Sequence, residues 1–434
     1  MKPLILIFLE FFSLSLASAQ TQHADSARTI LAPLLYLASD KLKGRCIGSP
    51  GIDTAANYIV GQLRHAGARL APGAGGYFQT FTRTFSRYDF DKVHIGTKYN
   101  YPPGSASKGL TLKNIVACIP GTDPTLRKQF IMLSAHYDHI GIADNPSIEG
   151  GKVDSIFNGA RDNATGTAAV IAAARYFGKY PPRRSVLLVL FTAEEEGEFG
   201  SDYYTDHPLI PPEQTVFDLN VDNAGYNTTN AICLFGLGRT TADTLIEKAC
   251  REYGLAVLAE PPGLNLFERS DNFNVAQLGI PAPCFSLGMK QWDSTIDRHY
   301  HRLSDEVDNM DLDYIVKFIR AYILSAQYIA NDPNQPRWTA GDIFEKLWLK
   351  LHAPPSHLNA APPSLYPQAS PRPNSDPTPP RRSPQSSAAP ATNLRSSPQS
   401  PPGPAAPVSP GPRVSQALRQ SPEYPTAGPP PLSQ

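Results

Sequence analysis

Two apolar runs without a charge, Phe130-Ile131-Met132-Leu133-Ser134-Ala135 and Ser185-Val186-Leu187-Leu188-Val189-Leu190-Phe191-Thr192, set the tightest limit on how this chain can fold. Neither approaches the ~18 consecutive apolar residues that a membrane span takes. Neither shows the polar residue at every second position that marks a strand with one wet face. Strands of this composition are buried on both sides, and helices packed on each face of a sheet supply that cover. Shorter runs at 114–119, 216–221, 231–235 and 282–287 read the same way, and they alternate with helical patterns at 165–180, 241–253 and 312–329. Two helices are expected ahead of them, at 24–39 and 52–66, the second opened by Ser49-Pro50-Gly51 and closed by Gly67. The pattern predicts an α/β fold: a mixed, mostly parallel, doubly wound sheet with helices on both faces. Residues 20–351, about 330 in all, are enough for one such domain with a full core.

The two ends read differently. Met1-Lys2, an apolar stretch over 3–16 and Ala17-Ser18-Ala19 have the layout of a cleavable export signal, residues 1–19. With no later stretch apolar enough to span a membrane, the mature product is expected to be periplasmic or extracellular, without stable membrane insertion. Residues 352–434 hold 24 of the 44 prolines, with Ser, Ala and Gln filling most of the rest. Such a segment cannot bury enough apolar surface to offset its ordering entropy, so a disordered tail is expected. The tail's six arginines against Asp376 and Glu423 leave the rest of the neutral chain at −4, which gives no reason to expect nucleic-acid binding. Cys46, Cys118, Cys233, Cys250 and Cys284 form no CxxC pair, so neither a zinc knuckle nor a disulfide scaffold is indicated. Oligomeric state is not encoded in any pattern visible here.

Polar clusters stand where this layout ends its strands: His136-Tyr137-Asp138, Glu194-Glu195-Glu196 and Asp222. Asp162-Asn163 precedes a helix, and His299 and His301 lie in the polar loop Arg298-His299-Tyr300-His301-Arg302. Taken singly, an acid after a strand is usually a solvated loop or a helix cap. Together, two imidazoles and three carboxylates near the carboxyl edge of an open sheet, where ligands bind, are what a pair of zinc ions needs.

In order and spacing, Ala135-His136-Tyr137-Asp138, Gly159-Ala160-Arg161-Asp162-Asn163-Ala164-Thr165-Gly166, Ala193-Glu194-Glu195-Glu196-Gly197, Asn220-Val221-Asp222 and Tyr300-His301 resemble the two-zinc aminopeptidases of the bacterial leucyl aminopeptidase and aminopeptidase Y type. The resemblance runs over about 34–329 and implies the phosphorylase/hydrolase-like fold of zinc exopeptidases. It implies His136 and Asp222 on one zinc, Glu195 and His301 on the other, Asp162 bridging both, and Glu194 as general base. It further implies Asp138 behind His136, fixing the imidazole's tautomer, and Tyr300 as a donor to the oxyanion. Asp271 and Asn272, in Arg269-Ser270-Asp271-Asn272-Phe273, correspond to the substrate pocket, although many relatives have His at the position of Asn272. Arg161 stands where relatives are acidic or small, a cation beside the bridging carboxylate. The substrates implied are peptides with a free amino terminus.

The same resemblance takes in carboxypeptidases that remove acidic residues and glutaminyl cyclases that work with one zinc. All five ligand positions are filled here, which favours a two-metal hydrolase. A receptor-like, non-catalytic relative should have lost ligands, and here they stand together with Glu194.

Overall fold

The computed structural model describes residues 26–86, 107–149 and 152–353, which belong to one compact unit. The expected export signal and all but the first two residues of the expected tail lie outside them. In chain order the helices are α1 (Ser26–Leu37), α2 (Pro50–His65), α3 (Gly166–Lys179), α4 (Phe199–Asp206), α5 (Asp243–Glu252), α6 (Asn272–Ala276), α7 (Ser294–Asp297), α8 (Leu312–Asn331) and α9 (Glu345–Leu351). The strands are β1 (Arg69–Leu70), β2 (Phe78–Ser86), β3 (Ser107–Ile119), β4 (Phe130–His136), β5 (Gly141–Glu149), β6 (Lys152–Phe157), β7 (Ser185–Phe191), β8 (Thr215–Asn220), β9 (Ala231–Phe235), β10 (Ala256–Ala259) and β11 (Cys284–Leu287).

The main sheet runs β1-β3-β7-β4-β8-β11-β9-β10, with β2 on β3, and β5 pairs with β6 in a separate ladder. Parallel pairing is concentrated at the centre, where β7, β4, β8 and β11 adjoin, and returns between β9 and β10. The ladders of β3 with β7, β2 and β1, and of β11 with β9, are antiparallel.

Alternation along the central strands divides their side chains between two cores. Ile131, Leu133, Ala135, Val186, Leu188 and Leu190 face the larger core, built with α1, α2, α3 and α8. Their neighbours Phe130, Met132, Leu187, Val189 and Phe191 face a second, built with Tyr204 of α4, Val275 of α6, Trp338 and Phe344. Every residue of β4 and β7 is buried. The alanines of α3 let it lie close against the sheet, and ten of its residues are buried. All five cysteines are free and buried, behaving as small apolar side chains.

One buried acid interrupts this apolar frame. Asp218 Oδ1 accepts from Ser134 Oγ at 2.8 Å, and Ser134 Oγ accepts from Asn220 Nδ2 at 3.0 Å. Burial holds the Asp218 carboxyl well above its ordinary range, against the Ser134 bond and with Asp271 adding to the rise. An acid whose folded pKa exceeds its unfolded value contributes stability that is present at low pH and lost as pH rises through the folded pKa. Asp218→Asn is therefore expected to gain on the parent chain as pH rises, the Tm difference between pH 5 and pH 8 moving in the variant's favour. A difference that stays constant would show that Asp218 does not titrate in this way.

Candidate metal centre

β4, β7 and β8 are adjacent and parallel, with His136 in register with Phe191 and Ser134 with Asn220, so their carboxyl ends open on one edge. His136 closes β4, Glu194 and Glu195 follow β7, and Asp222 follows β8. After β7 the chain turns at Ala193, whose φ is 57°, and the two glutamates part. Glu194 Oε2 stands 3.9 Å from His136 Nε2, whereas Glu195 Oε2 stands 3.1 Å from His301 Nε2.

Asp162 comes from the turn Ala160–Thr165 that leads into α3, where its own φ and ψ leave the helical region. That turn is fastened on two sides. Asp305 accepts the backbone N–H groups of Arg161 and Asp162 at 3.0 and 3.1 Å. Asn163 Nδ2 donates to Val221 O at 2.8 Å, and Asn163 Oδ1 accepts from Gly166 N and Asn223 Nδ2. Gly159 opens the turn with φ 56°, and a Cβ there would lie 2.1 Å from Asp162 O. His301, itself at φ 54°, is aimed back from the loop after α7.

The carboxylate of Asp162 faces two sets of donors. Its Oδ1 lies 3.3 Å from His136 Nε2, which is 3.1 Å from Asp222 Oδ1. Its Oδ2 lies 3.1 Å from His301 Nε2, which is also 3.1 Å from Glu195 Oε2. Atoms that share a tetrahedral ion at ~2.0–2.1 Å stand roughly 3.3 Å apart, so both sets have spacings suited to a zinc-sized ion. Their mixture of imidazole nitrogen and carboxylate oxygen suits such an ion as well. This chain's residues therefore fit two metal ions joined through Asp162.

Electrostatics point the same way. Burial alone would drive proton loss from the imidazoles, but the carboxylates of Asp222, Glu194 and Asp162 hold His136 well above its ordinary pKa. Glu195 and Asp162 do the same to His301. The cluster thus gathers positive charge to offset its buried carboxylates, a demand that bound cations meet directly. Glu194 is raised well above the usual carboxylate range by burial, against the pull of His136 and with Asp222, Glu195 and Asp271 adding to the rise.

Some expectations need correction. Asp138 does lie behind His136, but Oδ1 is 3.8 Å from Nδ1, beyond hydrogen-bond reach. Its Oδ2 instead accepts the backbone N–H of Glu195 at 3.3 Å. Asp271 and Asn272 do not line the pocket, because the chain turns inward at the start of α6 and both become fully buried. Asn272 Nδ2 donates to Phe267 O and Ala282 O, a packing role. The pocket above the centre is lined by Ala224, Phe235, Leu266 and Trp292, with Arg269, Ser270 and Tyr300 beside the acids. The guanidinium of Arg161 turns away from Asp162 to pair with Asp305 at 3.0 Å and to donate to Asn309 O. His299 Nδ1 is engaged by Ser304 O at 2.8 Å, outside both donor sets.

Two residues of the centre carried no signal in the sequence reading. His139 is fully buried against Glu195, three positions after His136 and in the same polar cluster. Arg45 is buried under the site with its guanidinium on carbonyls, and nothing in its surrounding sequence marks it.

A family model, Peptidase family M28, matches residues 114–325. Aminopeptidase YwaD of Bacillus subtilis is 22% identical over 226 residues, which make up 50% of this chain and 46% of that protein. A vacuolar membrane protease of Candida glabrata is 22% identical over 225 residues, 50% of this chain and 21% of that protein. The chain thus spans less than half the length of either relative. Among solved structures, a zinc aminopeptidase from Bacillus subtilis matches with a TM-score of 0.51 and 13% identity, over 70% of this chain and 95% of that one. That likeness is one of fold. No helix among the described residues is long and apolar enough to cross a membrane.

Proposed function

Because residues 114–325 match the model of peptidase family M28, we propose that this chain is a zinc-dependent aminopeptidase that hydrolyses the first peptide bond of peptides with a free amino terminus. The observation that carries this reading is the meeting of two donor sets at the two oxygens of Asp162. His136 and Asp222 would hold one zinc ion, His301 and Glu195 the other, and Asp162 both. When bound, such a pair supplies Lewis acidity that polarises a carbonyl and makes water nucleophilic near neutral pH.

The chain's own groups do the rest. Glu194 lines the pocket beside the donors and is placed to take the proton of the attacking water and return it to the leaving amine. Tyr300, its ring stacked on His301 with centroids 4.0 Å apart, also lines the pocket, where its hydroxyl can donate to the developing oxyanion. Carboxylates at the base of the pocket suit a substrate ammonium group, and Phe235, Leu266 and Trp292 suit an apolar first side chain. The catalytic unit lies within residues 20–351. The Met1–Ala19 layout supports export to the periplasm or the exterior.

The test is hydrolysis of an aminoacyl-p-nitroanilide panel beside N-blocked, carboxypeptidase and cyclisable amino-terminal glutamine substrates, with chelation and zinc rescue. Cleavage of free-amine substrates alone, lost on chelation and restored by zinc, is the expected result. Turnover confined to blocked or cyclisable substrates would replace this reading with a carboxypeptidase or a cyclase.

A further inference from the structure

His139 offers a second imidazole to Glu195. Its Nδ1 lies 2.6 Å from Glu195 Oε1, on the opposite oxygen from the one that faces His301. His139, Asp162 and Glu195 bring donor atoms within 4.8 Å of one another, so His139 competes with His301 as a ligand to the second ion. The spacings separate the two histidines. Atoms on one tetrahedral ion stand roughly 3.3 Å apart, close to the 3.1 Å between His301 Nε2 and Glu195 Oε2. A separation of 2.6 Å is too short for that and is the span of a short charge-assisted hydrogen bond.

An ionised carboxylate only accepts, so Nδ1 carries the hydrogen. Nε2 is then a bare acceptor, and it is buried without a hydrogen-bond partner. An orphaned acceptor is better tolerated than an orphaned N–H, which agrees with this tautomer. The ring has little freedom to swing to another partner. A Cβ on Gly159 would come within 2.5 Å of His139 Cδ2, the His301 ring stands edge-on at 5.8 Å between centroids, and the His139 backbone N–H donates to Arg45 O.

We propose that His139 is a positioning residue for the second metal ion: its Nδ1–H holds Glu195 Oε1, so that Glu195 presents Oε2 alone toward His301 and Asp162. The inference rests on the metal-centre reading above. Loss of the donor frees the Glu195 carboxylate to rotate, and the second site loses its preset geometry while the His136 and Asp222 set is untouched.

The experiment is calorimetric zinc titration of the full chain after chelator stripping, for the parent, His139→Ala, His139→Met and His139→Asn, with visible spectra of the cobalt-loaded forms. Asn places an amide N–H near the position of Nδ1, and Met fills the ring's space without a donor. The parent is expected to bind two ions. In His139→Ala and His139→Met one ion should bind ten- to a hundred-fold more weakly, with an altered cobalt spectrum, and His139→Asn should restore most of that loss. Should the alanine variant not fold, the Met and Asn pair carries the same comparison. Unchanged affinity for both ions in the Ala and Met variants overturns the proposal while leaving the two-metal centre standing. His139→Asn as weak as His139→Met makes the imidazole itself a ligand, which also overturns it. A parent chain that takes up no zinc overturns the metal-centre reading and this inference together.

Discussion

Glu194→Gln is expected to lower kcat by about 10²–10⁴-fold on a free-amine substrate while the protein retains its zinc. The substitution keeps the shape of the side chain and removes the oxygen that can hold a proton. Glu194 is absent from both donor sets, its nearest approach to His136 Nε2 being 3.9 Å, so metal binding should survive. Glu195→Gln, by contrast, alters an atom 3.1 Å from His301 Nε2, and there metal loss should accompany the loss of rate. Measuring kcat and zinc content side by side separates the two. A Glu194→Gln enzyme with nearly parental turnover would remove Glu194 as the base, and one stripped of zinc would make it a ligand.

Arg45→Met is expected to cost about 3–5 kcal/mol of folding stability, the range for removing one member of a buried polar set. Arg45 is 1% exposed and donates to four carbonyls from separate parts of the chain: Nε to Tyr137 at 3.0 Å, Nη1 to Leu37 at 2.6 Å and Asn158 at 2.7 Å, and Nη2 to Gly159 at 3.1 Å. Methionine fills the stem and leaves those carbonyls without their donor, at roughly 1–3 kcal/mol for each that water cannot reach. Burial lowers the guanidinium to about 10 even against the pull of Asp138, Asp162, Asp305 and Glu195, and at that value it stays charged at neutral pH. Urea unfolding of the zinc-loaded chain reads the effect. A shift below 1 kcal/mol would mean that water or a rearranged loop replaces these bonds. Since Tyr137, Asn158 and Gly159 flank His136 and the Asp162 turn, zinc affinity should fall in the same variant.

What was legible in the sequence followed how uniformly a segment is buried. β4 as far as Ala135 and the whole of β7 could be read because every residue is apolar or small, and α3 because its alanines and its opening glycine are unmistakable. β2 shows no clean two-residue apolar period, because Gln79 points inward where the pattern calls for an apolar residue. It is satisfied by Asn114 Nδ2 and the His207 carbonyl, partners distant in sequence. β10 is a half-exposed edge strand of four residues, too short and too wet to show a period. α9 has no buried residue by which its face could be read.

The same distinction holds at the centre. His136, Asp162, Glu194, Glu195, Asp222 and His301 stand in polar clusters visible in the sequence, which the family resemblance sorts into roles, and the structure brings them to one edge of the sheet. The pocket was misplaced onto Asp271 and Asn272 because sequence does not reveal on which side of α6 the chain turns inward. Arg45 escaped notice because its partners are backbone carbonyls, which carry no residue identity. His139 was hidden in plain view, since a third polar residue after His136 looks like more of the same loop.

The sharing of Asp162 between two donor sets has a consequence for how the protein is made. On the proposed assignment, the protein ligands His136 and Asp222 have both emerged once synthesis reaches residue 222, whereas the other set waits for His301, nearly eighty residues later. A half-built chain therefore lacks both His301 and the Asp305 acceptor that fixes the Asp162 turn, so the shared carboxylate reaches its place only as the domain closes. Uptake of the second ion then reports that the last strand and the loop beyond it have arrived, so that ion acts as a late seal on assembly.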